Sequence, residues 1–259
     1  MKRVLITGKS GYIASSLLAY LNRFPEKYAA EAVSLRGNAW REEDFSRFDA
    51  VVHCAGLAHI RETAENARYY FEVNRDLTLS VARKAEIAGV RQFVFLSSLS
   101  VYGMDEGVIT PETMPRPKTA YGKSKLEAEY ALRAMDSERF RVAILRPPMV
   151  YGPGCKGNYQ TLVKLAQKLP AIPTYKNQRS AVAVDRLCEV IREVIDAETQ
   201  GIFVPQDEEY LCTCAELRKL AAEQGRRCVS TEALNFGPAL LRRFTAKGRK
   251  AFGDLIYKG

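Results

Sequence analysis

Arg3-Val4-Leu5-Ile6-Thr7-Gly8-Lys9-Ser10-Gly11-Tyr12-Ile13-Ala14 decides how the rest of the chain is read. A short apolar run passes into a glycine-bearing turn, and the turn passes into a segment with helical spacing. That order sets the free N–H groups of a helix N-terminus at the end of a strand, where they can face a pyrophosphate. The chemistry asks for a tight turn at Gly8 and for a backbone approach without a side chain at Gly11. Ala14, at the third glycine position, is small enough for close helix packing. Any β-to-α turn likes glycine, so the motif draws its meaning from the residues C-terminal to it.

Those residues alternate between two textures. Apolar runs predict strands at residues 3–7, 31–36, 50–54, 92–97 and 141–146, with helices at about 11–23, 66–88 and 119–135 between them. This is the pattern of a parallel sheet covered by helices on both faces, an α/β doubly wound fold. The link over residues 37–49 is tight and holds a short helix or none. After Arg146 the texture changes: Pro147-Pro148 and Gly152-Pro153-Gly154 break the alternation and suggest a second lobe. The expected division is 1–147 and 148–259, of which about 178–205 could return to the first. Helical segments are expected there at about 158–169, 185–196 and 214–223, with Thr213 and Glu216 as a capping box for the last.

Two places carry chemistry beyond the glycine turn. A dinucleotide site usually reads the ribose with an acid at the end of the second strand. Here Val33-Ser34-Leu35-Arg36-Gly37 holds none. Arg36 could neutralise a 2′-phosphate, which leans towards NADP over NAD, or it could be a solvent-facing strand end. Further on, Tyr121 and Lys125 stand four apart on a helix and so share a face. An ordinary phenol, with a pKa of about 10, is a poor base at neutral pH. A nearby ammonium and an oxidised nicotinamide would lower it. Ser98, at the carboxyl edge of the fourth strand, could hydrogen-bond a substrate oxygen.

Composition narrows the class. The 259 residues have ordinary apolar and charged fractions, and no run of about 18 apolar residues predicts a membrane span. Six scattered cysteines and two histidines, His53 and His59, lack the ligand spacing of a zinc site. With too short an apolar start for a secretion signal, a cytoplasmic protein with reduced thiols is expected. The net charge of +9 is spread widely, apart from a denser stretch at Arg242, Arg243, Lys247, Arg249 and Lys250. Attraction for a phosphate-bearing substrate accounts for it better than nucleic-acid binding does.

The ordered set of segments resembles the extended short-chain dehydrogenase/reductase family, the NAD-dependent epimerase/dehydratase group. The matching segments are residues 7–13, His53-Cys54-Ala55-Gly56-Leu57, Val73-Asn74, residues 97–103, Tyr121-Gly122-Lys123-Ser124-Lys125, residues 145–154 and residues 179–185. The resemblance implies a Rossmann-type domain with a smaller C-terminal substrate-binding lobe. It implies that Gly8, Ser10, Gly11, Tyr12 and Ile13 hold the pyrophosphate. Ala55, Gly56, Leu57 and Ser97 would line the NAD or NADP site, Asn74 would support it, and Pro148 would lie near the nicotinamide. Tyr121 would be the acid/base, Lys125 its partner and ribose ligand, and Ser98 the substrate-oxygen donor. Met149, Asn158 and Arg179 would meet a nucleotide-diphosphate sugar.

The activity so implied is hydride transfer at sugar C4, as 4-epimerisation of a UDP-sugar or NADPH reduction of a 4-keto nucleotide sugar, in bacterial-type surface polysaccharide synthesis. A homodimer through the helices at 66–88 and 119–135 goes with it. Family dehydratases carry an Asp-Glu pair directly after the catalytic hydroxyl residue; Leu99-Ser100 stands here and argues against dehydration. Met149 replaces the Asn of the galactose epimerase, which leaves the sugar open. The competing class is a dinucleotide-binding sensor or assembly subunit that has lost catalysis.

Overall fold

The computed structural model describes every residue except His59, Arg61 and Lys156, and gives Asn158 by its backbone alone. Six strands form one parallel sheet: β1 (Lys2–Thr7), β2 (Tyr28–Val33), β3 (Ala50–His53), β4 (Gln92–Leu96), β5 (Arg141–Leu145) and β6 (Gly201–Phe203). Their spatial order is β6-β5-β4-β3-β1-β2. The chain leaves β1 for β2 on one side and returns to β3 on the other. The strand order therefore reverses at β1, and ligands of open α/β sheets bind at such a switch point. Every residue of β3 and β4 is buried, as expected of strands covered on both faces.

The helices are α1 (Tyr12–Leu21), α2 (Ala67–Phe71), α3 (Thr78–Ile87), α4 (Ala120–Met135), α5 (Asn158–Lys168), α6 (Val184–Ala197), α7 (Thr213–Glu223), α8 (Phe236–Phe244) and α9 (Ala246–Phe252). A π-helical turn, Glu72–Leu77, joins α2 to α3, so the segment read as one helix carries a wider turn at its centre. Two 3-10 turns, Ala39–Arg41 and Phe45–Arg47, fill the tight link between β2 and β3. Their Trp40 and Phe45 are buried in one apolar cluster with Val51, Phe93, Phe95, Val81, Leu132 and Phe140. Those residues join β3 and β4 to α3 and α4.

The chain divides into two compact units. The first is Met1–Gly103, Pro115–Pro148 and Ala183–Pro205, and holds the whole sheet with α1 to α4 and α6. The second is Met104–Met114, Met149–Val182 and Gln206–Gly259. It holds α5 and α7 to α9, with short parallel pairs of Ala171–Pro173 on Val229–Thr231 and Gly107–Ile109 on Leu255–Tyr257. Met104–Met114, read from the sequence as part of the first unit, belongs to the second.

Two local expectations are corrected. The second strand ends at Val33 and not at Arg36, because the N–H groups of Gly8 and Lys9 both donate to the Val33 carbonyl. Leu35 then turns into the core. Nor do Thr213 and Glu216 form a capping box: Cys212 is the N-cap of α7 and supplies no side-chain bond. The side chain of Asn177 accepts from the Thr213 N–H instead, the Thr213 hydroxyl donates to the Ala251 carbonyl, and Glu216 accepts from Tyr159. Local spacing suggested the box; side chains and carbonyls distant in sequence had better geometry.

Candidate active site

Parallel pairing sets the ends of β1, β3, β4 and β5 along one edge, and the candidate residues of the first unit gather there. At the first turn Gly8 has φ +88°, and a Cβ on it would lie 2.9 Å from the N and Cα of Ala55. Both the backbone conformation and the approach of the segment after β3 require glycine. The Gly11 N–H donates to the Gly8 carbonyl at 2.7 Å and tightens the turn. Gly11 is also the N-cap of α1 and offers no side-chain cap, so no side chain of its own covers the N–H groups of Tyr12, Ile13 and Ala14. Exposed Ser10 borders the turn, and buried Ala14 packs the helix down. This cradle fits a pyrophosphate. Arg36 is exposed in the loop beyond Val33, three residues past the end of β2.

Ala55, Gly56 and Leu57 leave the end of β3, and Asn74 holds them. Its Oδ1 accepts from the Leu57 N–H at 2.7 Å, while its Nδ2 donates to the Leu57 carbonyl and to the Ser124 hydroxyl, both at 3.1 Å. A Cβ on Gly56 would meet Asn74 Oδ1 at 3.1 Å and Lys125 Nζ at 3.3 Å. Asn74 sits fully buried in the π turn, which fits the tendency of such turns to mark functional positions. Behind it lies a relay of neutral groups. Thr78 donates its one proton to the Asn74 carbonyl, so its oxygen accepts from Nε2–H of His53 at 3.0 Å. Nδ1 is then left to accept from the Thr7 hydroxyl at 2.9 Å. Burial, helped by Lys125, pushes the His53 pKa down to about 3 and keeps the ring uncharged. Cys54 beside it is pushed up to about 12 by burial and is no thiolate nucleophile. His59 lies outside the described residues.

Ser98 ends the β4 segment and caps the 3-10 turn Leu99–Tyr102, accepting from the Ser100 N–H at 3.1 Å. Thr119 caps α4 through the Gly122 N–H, and Glu62 accepts from the Ala120 N–H at 2.8 Å. Together they fix the first turn of α4, which carries Tyr121. The ring of Tyr70 meets that of Tyr121 edge-on at 6.2 Å. Burial raises the Tyr121 phenol above its ordinary value, while a hydrogen bond with Ser98 draws it back. The lowered phenol expected from the sequence is therefore not a property of the protein by itself. One turn later Lys125 is buried and donates to the Leu96 carbonyl at 2.7 Å. Burial brings its pKa down to about 8.

The sequence reading missed the next residue of this stripe. Glu129, a further turn along α4, is fully buried against Arg146, whose Nη2 donates to it at 2.5 Å. Arg146 also donates to the Tyr102 hydroxyl at 2.9 Å, and the Ser97 hydroxyl donates to Glu129. The Ser97 hydroxyl thus gives its one proton to Glu129, and the Ser97 N–H donates to the Leu145 carbonyl at 2.7 Å. The i, i+4, i+8 spacing of Tyr121, Lys125 and Glu129 was the available signal. Pro148 is half-buried just past β5, and the Pro147 carbonyl accepts from the Leu99 N–H at 3.0 Å.

The remaining candidates lie in the second unit. Met149 begins a short strand, Met149–Tyr151, and Asn158 opens α5 with its side chain outside the described residues. Arg179 donates through Nη1 to the Gly253 carbonyl at 2.8 Å, a structural use of the guanidinium that the sequence reading had not foreseen.

A family model described as the NAD dependent epimerase/dehydratase family matches residues 4–197. A UDP-glucose 4-epimerase of Vibrio cholerae is 32% identical over 249 residues, covering 85% of this chain and 75% of its own. A GDP-6-deoxy-D-mannose reductase of Pseudomonas aeruginosa is 30% identical over 172 residues, 61% of this chain and 55% of that protein. Among solved structures, a UDP-glucuronic acid 4-epimerase from Bacillus cereus in complex with NAD matches with a TM-score of 0.73. That match covers 98% of this chain and 88% of the other, at 17% identity, and shows the likeness of fold.

Proposed function

Because the chain belongs to the NAD dependent epimerase/dehydratase family, we propose that it catalyses hydride exchange at C4 of a nucleotide-diphosphate sugar. The reaction is either 4-epimerisation of a UDP-sugar or reduction of a 4-keto nucleotide sugar, of the kind that supplies surface polysaccharides. The observation that carries the reading is Tyr121 on the first turn of α4, where Ser98 acts on its phenol, with buried Lys125 one helical turn away. A nicotinamide seated beyond the Gly8–Gly11 turn would supply the hydride acceptor and donor. In the oxidative direction the Tyr121 oxygen takes the proton of the C4 hydroxyl; in the reductive direction it returns one to the C4 oxygen. Ser98 steadies that oxygen by turning its hydroxyl proton from Ser100 to it. Lys125 gives the phenolate a cation nearby and reaches the ribose.

Water elimination does not belong to this reading. Leu99 is apolar and buried, and the Ser98 hydroxyl donates to that of Ser100, so no carboxylate stands next to Ser98 on its C-terminal side. Exposed Arg36 favours NADP. Arg179, Met149 and Asn158 serve the sugar nucleotide, and α2–α3 with α4 form a homodimer face, checked by the mass of the protein in solution.

The test is turnover on UDP- and dTDP-linked sugars and their 4-keto forms. Tyr121→Phe should lower kcat by about 10²–10⁴-fold while leaving the dinucleotide Kd within twofold. Full turnover by the variant removes Tyr121 from acid/base work. Net oxidation of NADPH marks reduction, and interconversion of C4 epimers without net oxidation marks epimerisation.

A further inference from the structure

On α8 the side chains of Phe236, Leu240 and Phe244 recur every fourth residue, and so form one stripe along the helix. They are 69%, 56% and 68% exposed. Single exposed apolar residues need no explanation, but three in one stripe with half-exposed Leu241 beside them make a contiguous patch. The opposite side of α8 is anchored. Pro238 is buried, and Arg242 donates to Glu106 at 3.0 Å and to the Tyr175 hydroxyl at 3.3 Å. At Thr245 the chain turns into α9, and in its first turn a Cβ on Gly248 would collide with the Leu241 carbonyl. The orientation of the stripe is therefore held from both the far side and the C-terminal end.

The charged residues of α8 and α9 are all cations, of which Arg242 and Lys250 pair with Glu106, Asp254 and Asp105. Between Glu232 and Asp254 the chain carries five cations and no carboxylate. Arg242 is spent on Glu106, whereas exposed Arg243 lies along the edge of the stripe with its guanidinium 5.5 Å from the Phe244 ring centroid. Lys247 is exposed just beyond it. We infer that α8 is a docking surface for an anionic lipid bilayer, lying in the plane of the interface. The Phe and Leu side chains would enter the acyl boundary, and Arg243 and Lys247 would meet lipid phosphates. Charge complementarity selects this occupant: a second copy would bring the same cations face to face, and nucleic acid would leave the apolar stripe uncovered. The contact is interfacial, since no helix among the described residues is long and apolar enough to cross a membrane.

The full chain is tested by flotation with vesicles of 30% phosphatidylglycerol in phosphatidylcholine, against pure phosphatidylcholine. Binding to the anionic vesicles is expected, with a loss of about tenfold or more in the double variant Arg243→Glu/Lys247→Glu. Phe236→Ser/Leu240→Ser/Phe244→Ser should abolish binding while circular dichroism and melting temperature hold, because all three side chains are exposed. Equal flotation of the apolar triple variant overturns the inference, as does the absence of wild-type binding at low salt. Dimerisation lost in the triple variant without vesicle binding, or retention of a single-stranded oligonucleotide in preference to vesicles, also overturns it.

Discussion

The Lys125 ammonium donates to the Leu96 carbonyl where water is excluded, and its pKa of about 8 lies below the ordinary 10.5. Between those two values the unfolded chain holds a proton that the folded chain has released. Stability therefore rises with pH across that window, and the charged form destabilises the fold below it. Lys125→Met removes the buried charge at a cost of about 1–2 kcal/mol for the orphaned carbonyl. The stability difference between variant and wild type should thus move in favour of wild type as pH rises from 7 to 10, by about 1.4 kcal/mol per unit within the window. Urea unfolding at the two pH values measures it. An unchanged difference would mean that Lys125 is not desolvated.

Helix α4 presents Tyr121, Lys125 and Glu129 at intervals of four, so one element delivers a phenol, an ammonium and a carboxylate to the first unit. The carboxylate closes onto Arg146 from the end of β5 and onto Ser97 from the end of β4. It thereby ties together the two strand ends that continue into Pro148 and Ser98. Glu129→Ala leaves a buried guanidinium without its partner and should cost about 3–5 kcal/mol. Replacing both members, Glu129→Leu with Arg146→Met, should recover most of that loss in urea unfolding while lowering kcat, because Ser97 and Tyr102 lose their tether. A double variant as unstable as the single one would show that the pair is not what the single change breaks.

At the scale of the whole molecule a dinucleotide that binds only the folded chain stabilises it by mass action. At about 100 times its Kd the gain is about 2.7 kcal/mol, or roughly 5–10 °C in melting temperature for a chain of this size. NADP is expected to give the larger shift, and Arg36→Ala to reduce the NADP shift while sparing that of NAD. No shift with either dinucleotide would contradict the cradle at Gly8 and Gly11. An unchanged ratio in the variant would free Arg36 of any part in the choice.

The sheet, its parallel sense and the positions of Gly8, Ser98, Tyr121 and Lys125 were legible in the chain. Apolar runs, glycine turns and four-residue spacing are local signals, and a resemblance of ordered segments added the chemistry. The end of β2 was not legible, because the Gly8 and Lys9 N–H groups decide it from the end of the neighbouring strand β1. For the same reason the cap of α7 comes from Asn177, the hydroxyl of Ser97 is taken by Glu129, and Asn74 occupies a π turn. Periodicity along the chain determined which segments are strands or helices and which faces turn inward. Which buried polar atom meets which, and so where each pKa lies, was decided only when tertiary packing removed water and brought distant partners within hydrogen-bonding distance.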